Sequence, residues 1–183
     1  MLWVEVLEVL DALDSRGVSQ WVAGGWGVDA LVAAQTRPHR DLDLAVDADQ
    51  YDLCMATLTD LHYTVETDRL PVRVELVASG GRWVDVHPVR FDGRGPGVQG
   101  DLEGTHFLYP PTAFAVGRLG GRTVSCLSAR QQEVFHSGYE PRPHDEHDVT
   151  QLARLREAGR PRPSTGRYGP TRGLQAPEPL TGP

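Results

Sequence analysis

The sequence contains no lysine, because all 18 of its basic Lys and Arg positions are arginine. Mechanisms that need an amine, such as a Schiff base or the lysine of a P-loop, are therefore excluded. Only two cysteines occur in 183 residues, Cys54 and Cys126, and their spacing matches no metal site. We expect two buried free thiols in a cytoplasmic protein.

Long apolar runs are also absent. No stretch of about 18 apolar residues is present, so no transmembrane helix is predicted. The chain starts Met-Leu-Trp-Val-Glu-Val, without the basic start of a signal peptide, and we expect none. The length fits one domain, as a monomer or a homodimer.

The net charge of −7 is unevenly distributed. Residues 149–183 hold six Arg and two Glu, so the preceding part is more acidic than the whole chain. An acidic body argues against a nucleic-acid partner, since such partners need a basic surface. It suits a cationic small-molecule acceptor, although solubility alone would explain the same charge.

Apolar spacing predicts strands and helices that alternate, as in an α/β or α+β domain. We expect a mixed sheet with flanking helices over residues 1–157, and a small helical C-terminal part from about residue 128. Residues 158–183 are rich in Pro, Arg and Gly and are predicted to be a disordered tail. Residues 92–104 are predicted to be a loop. Helices are expected over 4–13, 28–34, 49–61, 128–136 and 145–157, and strands over 21–23, 41–46, 63–66, 72–77 and 82–89.

Two aspartates, Asp41 and Asp43, lie at i and i+2 in a strand whose alternate residues are apolar. Alternation places both carboxylates on one face, where they repel each other unless a cation lies between them. Carboxylates of this kind suit Mg²⁺ with bound phosphates. Asp85, flanked by two valines in a later strand, is the candidate third carboxylate, as metal ligand or as base to an acceptor hydroxyl. His87 would orient Asp85, line the acceptor site or be an ordinary buried histidine.

Gly24 and Gly25 end the first predicted strand, 16 residues before Asp41. Paired glycines let the backbone approach phosphates closely, and the helix after them offers free N–H groups to an anion. Arg37 and His39 precede the aspartates and are candidates for phosphate binding, with a surface loop as the alternative. These parts together indicate metal-assisted transfer from a nucleoside triphosphate.

An acidic and histidine-rich cluster occupies residues 144–148. Its composition resembles a metal site, but the capped N-terminus or charged face of a helix explains it better. Asp145 and Asp148 are also candidates to receive the ammonium groups of a cationic acceptor.

These motifs resemble those of a known enzyme family. The segments Trp21–Asp29, Thr36–Asp43 and Val84–Pro88, with His136–Glu140 and the Asp145/Asp148 pair, are similar to the aminoglycoside 2″-adenylyltransferase and lincosamide nucleotidyltransferase family. That family belongs to the DNA polymerase beta-like nucleotidyltransferase superfamily. The resemblance covers about residues 15–157 and implies a minimal nucleotidyltransferase fold.

The resemblance also implies an activity. Asp41, Asp43 and Asp85 would hold Mg²⁺, two ions in all, with Asp85 as the third ligand, the base or both. Gly24, Gly25 and Arg37 would bind the phosphates of ATP or another nucleoside triphosphate. AMP would pass to a hydroxyl of an aminoglycoside antibiotic, and pyrophosphate would leave.

Alternative functions retain part of this chemistry. The acceptor would instead be a lincosamide, which carries less charge, or an endogenous small molecule. Nucleotidyl transfer to RNA is a further alternative, which the lack of a basic, aromatic-rich stripe in the body disfavours. A non-catalytic nucleotide-binding protein is disfavoured by the presence of all three aspartates.

Overall fold

The computed structural model describes residues 1–93, 95–137, 140 and 142–158. The helices are α1 (Trp3–Ser15), α2 (Gly24–Val32), α3 (Tyr51–Asp60), α4 (Ala129–His136) and α5 (Pro143–Ala158). The strands are β1 (Gln20–Val22), β2 (Asp41–Asp47), β3 (Thr64–Arg69), β4 (Arg73–Ala78), β5 (Arg82–Val89), β6 (Gly97–Gly100), β7 (His106–Tyr109), β8 (Phe114–Leu119) and β9 (Arg122–Leu127). The predicted mixed sheet with flanking helices is confirmed.

Seven of the strands form one sheet in the order β3-β4-β5-β2-β1-β9-β8. The pairs β2–β5 and β1–β9 are parallel, and the other neighbours are antiparallel. The parallel pair β2–β5 lies at the centre of this order. The two strands expected to carry the carboxylates are therefore direct neighbours, although about 40 residues separate them along the chain.

The remaining strands, β6 and β7, form a separate antiparallel hairpin. A bridge between Arg90 and Val98 attaches this hairpin to the end of β5. The prediction of a loop over residues 92–104 is wrong for β6, which lies inside that range. Its four residues include two glycines, so the apolar alternation that marks a strand is almost missing.

The main core lies between the large sheet and helices α1, α2 and α3. Alternate residues of β2 and β5 supply its centre, because successive strand side chains point to opposite faces. Both cysteines are buried free thiols, as expected. The core includes Val6, Leu10, Trp26, Leu42, Leu44, Cys54, Leu58, Val84, Val86 and Cys126.

Helix α2 begins at Gly24 itself, four residues earlier than the apolar spacing predicted. Gly24 has a φ of 54°, which a glycine adopts without the steric cost that a Cβ carries. The paired glycines are therefore the first turn of the helix rather than a loop before it. No side chain of the described residues caps this turn, so its N–H groups are available to an anion.

The C-terminal part consists of α4 and α5, as expected. Ser128 caps α4 by accepting a hydrogen bond from the Gln131 backbone N–H at 3.4 Å. Helix α5 contacts α2 and α4, so the C-terminal helices pack against the helix that begins at the paired glycines. No described helix is long and apolar enough to cross a membrane. The predicted tail lies outside the described residues, apart from Ala158.

Candidate active site

Asp43 of β2 and Asp85 of β5 are paired directly across the central parallel strands. Their neighbours on each strand, Leu42 and Val84 among them, are fully buried in the core on the opposite face. Strand alternation therefore brings the two carboxylates together on the other side of the sheet. The structure confirms that these two strands adjoin, while the role of their carboxylates stays a prediction.

His87 completes a group of three possible metal ligands with this pair. One ligand atom from each of Asp43, Asp85 and His87 lies within 4.8 Å of the others. The His87 Nε2 is 3.5 Å from Asp43 Oδ1. The spacing and the oxygen donors fit a divalent cation. The sequence had not indicated His87 as a metal ligand, but as a residue that orients Asp85, lines the acceptor site or is simply buried.

The Asp85 carboxyl is 1% exposed and has two different oxygens. Oδ2 accepts a hydrogen bond from the Arg73 guanidinium at 2.8 Å, whereas Oδ1 is buried without a hydrogen-bond partner among the described residues. Burial and the nearby Asp43 charge raise the pKa of Asp85 to about 7, against the lowering effects of Arg73 and His87. An unpartnered buried carboxyl oxygen is costly, so this atom fits a cation or a proton donor that binds there.

The pKa of Asp43 is shifted in the opposite direction, to a lower value. Burial opposes its ionisation, but the hydrogen bond from His87 and the charges of Arg73 and His136 outweigh burial and lower its pKa. The pair thus consists of an ionised Asp43 and an Asp85 that holds a proton below about pH 7. A divalent cation would favour the ionised form of both.

Asp41 lies on the same strand face as Asp43 but outside the group of three. Its Oδ2 accepts from Arg40 Nε at 3.1 Å, and the Arg40 side chain is 63% exposed. Arg40 also lies over the Trp83 ring, with its guanidinium carbon 5.1 Å from the ring centre. Arg40 therefore occupies Oδ2 of Asp41, while Oδ1 accepts no hydrogen bond from the described residues.

Gly24 and Gly25 at the start of α2 each lie in close contact with different side chains of the site. A Cβ on Gly24 would overlap Asp43 Oδ2, and a Cβ on Gly25 would overlap the His39 ring and the Arg37 guanidinium. The Ala23 N–H donates to the Asp43 carbonyl at 2.9 Å, which ties the start of α2 to β2. Only glycine permits this close approach of a helix N-terminus to a carboxylate and an arginine.

Arg37 is held in place by α5. Its Nε and NH2 donate to the two Asp148 oxygens at 2.9 and 2.5 Å, and His136 Nε2 lies 3.8 Å from the same carboxylate. Burial opposes the charge on Asp148, but the Arg37 and His136 hydrogen bonds outweigh it and lower the Asp148 pKa to about 2. The Arg37 side chain keeps 20% of its surface exposed, so it can still meet a ligand.

His39, which the sequence indicated as a candidate for phosphate binding, is buried in the structure. It is 5% exposed, and its Nε2 is 2.5 Å from Asp29 Oδ2. Asp29 also accepts from the Thr36 N–H and hydroxyl at 3.0 and 2.6 Å, and Thr36 meets His147 of α5 at 3.0 Å. The His39 ring thus packs against Gly25. Its proposed contact with the nucleotide stays a prediction.

The acidic cluster of residues 144–148 belongs to the first turns of α5, as the helix interpretation predicted. Asp145 and Asp148 are 2% and 1% exposed. Asp145 pairs with Arg142, and Asp148 pairs with Arg37. The interpretation of these two carboxylates as a surface for ammonium groups is therefore wrong, because both are already buried and neutralised.

Comparison with known proteins fits this geometry. A family model described as aminoglycoside-2''-adenylyltransferase matches residues 5–152. The chain belongs to this family. It is therefore a nucleotidyltransferase, and the family predicted from its motifs is confirmed.

Two relatives of the family differ in how much they share with the chain. A lincosamide resistance protein of Staphylococcus haemolyticus is 32% identical over 148 residues, which are 81% of this chain and 92% of that protein. A 2''-aminoglycoside nucleotidyltransferase of Klebsiella pneumoniae is 43% identical, but only over 37 residues, which are 20% of this chain and 21% of that protein.

Solved structures show the same fold. A lincosamide antibiotic adenylyltransferase with lincomycin bound has a TM-score of 0.76 at 32% identity, over 82% of this chain and 96% of that chain. The solution structure of the antibiotic-resistance factor ANT(2'')-Ia has a TM-score of 0.66 at 19% identity, over 85% and 89%. At that identity the second likeness concerns the fold alone.

Proposed function

We propose that the protein transfers AMP from ATP to a hydroxyl group of an antibiotic and releases pyrophosphate. The observation that carries this proposal is the direct pairing of Asp43 with Asp85 beside the open helix N-terminus at Gly24. Carboxylates for a cation thus adjoin backbone N–H groups for an anion. A metal-bound triphosphate requires both of these parts.

Two Mg²⁺ ions held by Asp41, Asp43 and Asp85 are the proposed metal centre. The unpartnered Oδ1 of Asp85 and the all-oxygen donors of the three carboxylates support it. When bound, Mg²⁺ would neutralise negative charge on the triphosphate and on the leaving pyrophosphate. Gly24, Gly25 and Arg37 would orient the phosphates, since the arginine fork and the helix N–H groups all donate hydrogen bonds.

Asp85 is the proposed base for the acceptor hydroxyl. Its Oδ1 accepts no hydrogen bond from the described residues, so the atom that could bind a cation could instead receive the hydroxyl proton. Arg73 holds Oδ2 and thereby fixes the orientation of the carboxyl group. A base that is fixed in this way loses little orientational freedom when the acceptor binds.

The acceptor proposed first is an aminoglycoside, because the net charge of −7 and the acidic body favour cationic compounds. A lincosamide is the second candidate, and a specific observation favours it. The lincosamide resistance protein matches most of the chain, whereas the aminoglycoside enzyme of Klebsiella pneumoniae matches a short segment. We propose that either reaction takes place in the cytoplasm, where ATP is available.

The test is pyrophosphate release from ATP and Mg²⁺ with a panel of aminoglycosides and lincosamides. Asp43→Asn is the inactive reference, and we expect it to keep the fold because the side chain stays the same size and polar. Release with one drug class, absent in the variant, would establish both the chemistry and the acceptor. If neither class supports release, the antibiotic proposal is wrong and RNA or an endogenous hydroxyl compound becomes the acceptor to test.

A further inference from the structure

His87 has different neighbours at its two ring nitrogens. Nε2 faces Asp43 Oδ1 at 3.5 Å, and Nδ1 lies 3.3 Å from the side-chain nitrogen of Gln99. A neutral imidazole carries a hydrogen on one nitrogen and a lone pair on the other. The role of His87 at the site therefore depends on which way the Gln99 amide points.

The orientation of Gln99 is fixed by two further partners. Its Nε2 lies 2.7 Å from the Val72 backbone carbonyl, which can only accept a hydrogen bond. Its Oε1 lies 2.5 Å from the Tyr109 hydroxyl, which donates to it. Gln99 is 4% exposed, so a flipped amide would place two buried oxygens against each other. The second hydrogen on Nε2 is then directed at His87 Nδ1.

The contact between Gln99 Nε2 and His87 Nδ1 determines whether His87 Nε2 carries a hydrogen or a lone pair towards Asp43. Because Nδ1 accepts from Gln99, the ring hydrogen is on Nε2, and Nε2 has no lone pair for a metal ion. We infer that Gln99 is a positioning residue that fixes His87 as a hydrogen-bond donor to Asp43, so that His87 orients the carboxylate and does not bind the metal. The inference rests on the proposed function for the role of Asp43 as a metal ligand.

The arrangement divides the work between the two Asp43 oxygens. Oδ1 receives the His87 N–H, and Oδ2 faces Gly24 at the start of α2. Oδ2 is thus the oxygen of Asp43 that is available to a cation. A series of side-chain hydrogen bonds runs from Tyr109 through Gln99 and His87 to Asp43. It joins the β6–β7 hairpin to the site and gives the hairpin a role in the reaction.

The first experiment determines the His87 tautomer by long-range ¹H–¹⁵N NMR of the full chain without nucleotide or metal. The His87 signals are assigned by their loss in His87→Gln. We expect the hydrogen on Nε2 in the wild type and a changed tautomer population in Gln99→Met. Gln131→Met is the matched control, because Gln131 is equally buried but bonds to the Leu108 carbonyl. A hydrogen on Nδ1 in the wild type would overturn the inference, whatever the variants do.

The second experiment uses Mn²⁺ as the probe. We expect electron spin echo spectra of the Mn²⁺-loaded protein to show no directly coordinated histidine nitrogen. Loss of an orienting partner weakens metal binding by about tenfold, and we expect this for His87→Met and Gln99→Met. His87→Gln, whose amide N–H reaches the Nε2 position, should restore most of the affinity.

A coordinated nitrogen signal that disappears in His87→Gln would make His87 a ligand and overturn the inference. So would unchanged Mn²⁺ affinity in both His87→Met and Gln99→Met, since neither residue would then position Asp43. The tautomer measurement needs no substrate, so it stands even if the protein transfers no nucleotide. Failure of the proposed function would appear in the pyrophosphate assay alone.

Discussion

Arg37 and Asp148, which are 111 residues apart in the chain, are joined by two hydrogen bonds from one guanidinium to both oxygens of one carboxylate. We expect Asp148→Asn to raise the KM for ATP and to lower the free energy of unfolding by about 1–3 kcal/mol, because a buried partner of Arg37 loses its charge. Kinetics and chemical denaturation measure the two effects. Asp60→Asn is the control, since Asp60 pairs with Arg16 at the exposed surface. Equal effects of the two variants would contradict a special role for Asp148.

The same pair predicts a loss of stability in acid. The pKa of Asp148 is lowered to about 2 in the folded protein, so the unfolded state binds a proton more readily. Its stabilising contribution is complete above the unfolded pKa of about 4 and is lost as the pH falls towards 2. We expect the stability difference between wild type and Asp148→Asn to narrow over this range in urea titrations. A difference that stays constant from pH 5 to pH 2 would show that the carboxylate charge is unimportant.

Gly24→Ala should abolish metal binding in addition to destabilising the fold. Both Gly24 and Gly80 have positive φ, 54° and 79°, but a Cβ on Gly80 meets nothing within 4 Å. Each alanine costs about 1–2 kcal/mol for the left-handed conformation, and only the Gly24 variant also displaces Asp43. We expect a larger drop in melting temperature for Gly24→Ala than for Gly80→Ala, and loss of Mn²⁺ binding only for Gly24→Ala. Normal Mn²⁺ binding by Gly24→Ala would show that the close contact with Asp43 has no function.

Metal binding should release a proton from Asp85. Its carboxyl has a pKa of about 7 because of burial and the nearby Asp43, so it is mostly protonated at pH 6 and ionised at pH 8. A cation competes with that proton, and the apparent metal affinity should therefore rise with pH over this range. Calorimetry in two buffers of different ionisation enthalpy measures the protons released. Equal release at pH 6 and pH 8 would be inconsistent with a protonated Asp85.

Removal of the chain after Ala158 should leave activity and melting temperature unchanged. The contacts of α5 with the rest of the fold come from residues before that point, including the fully buried Leu152 and the Arg156–Glu133 ion pair. Enzyme assays and thermal unfolding of the shortened chain test this. A loss of solubility or activity would show that the following residues are part of the folded enzyme.

The carboxylate strands could be predicted because their signals are local. Alternation in Asp41–Asp47 marks a half-buried strand, and the valines around Asp85 mark another. That β5 pairs with β2 rather than with another strand is a long-range choice, which the residues of either strand do not encode alone. Family resemblance supplied the adjacency that periodicity could not.

The supporting residues were out of reach for a different reason. Gln99 lies in a short strand between two glycines, and neither its burial nor its contact with His87 leaves a periodic pattern. Asp148 was considered as a surface group because charged residues are rarely buried, a rule that fails when an arginine is its partner. Both residues act through contacts made only in the folded chain.

The Arg37–Asp148 contact also has a consequence for synthesis on the ribosome. The nine strands of the described residues all end before residue 128, so the sheet can form while α5 is still being made. Arg37 has its carboxylate partner only after residue 148 has emerged. A nascent chain would therefore hold Asp43 and Asp85 side by side before Arg37 is fixed, and the orientation of Arg37 would depend on the later docking of α5.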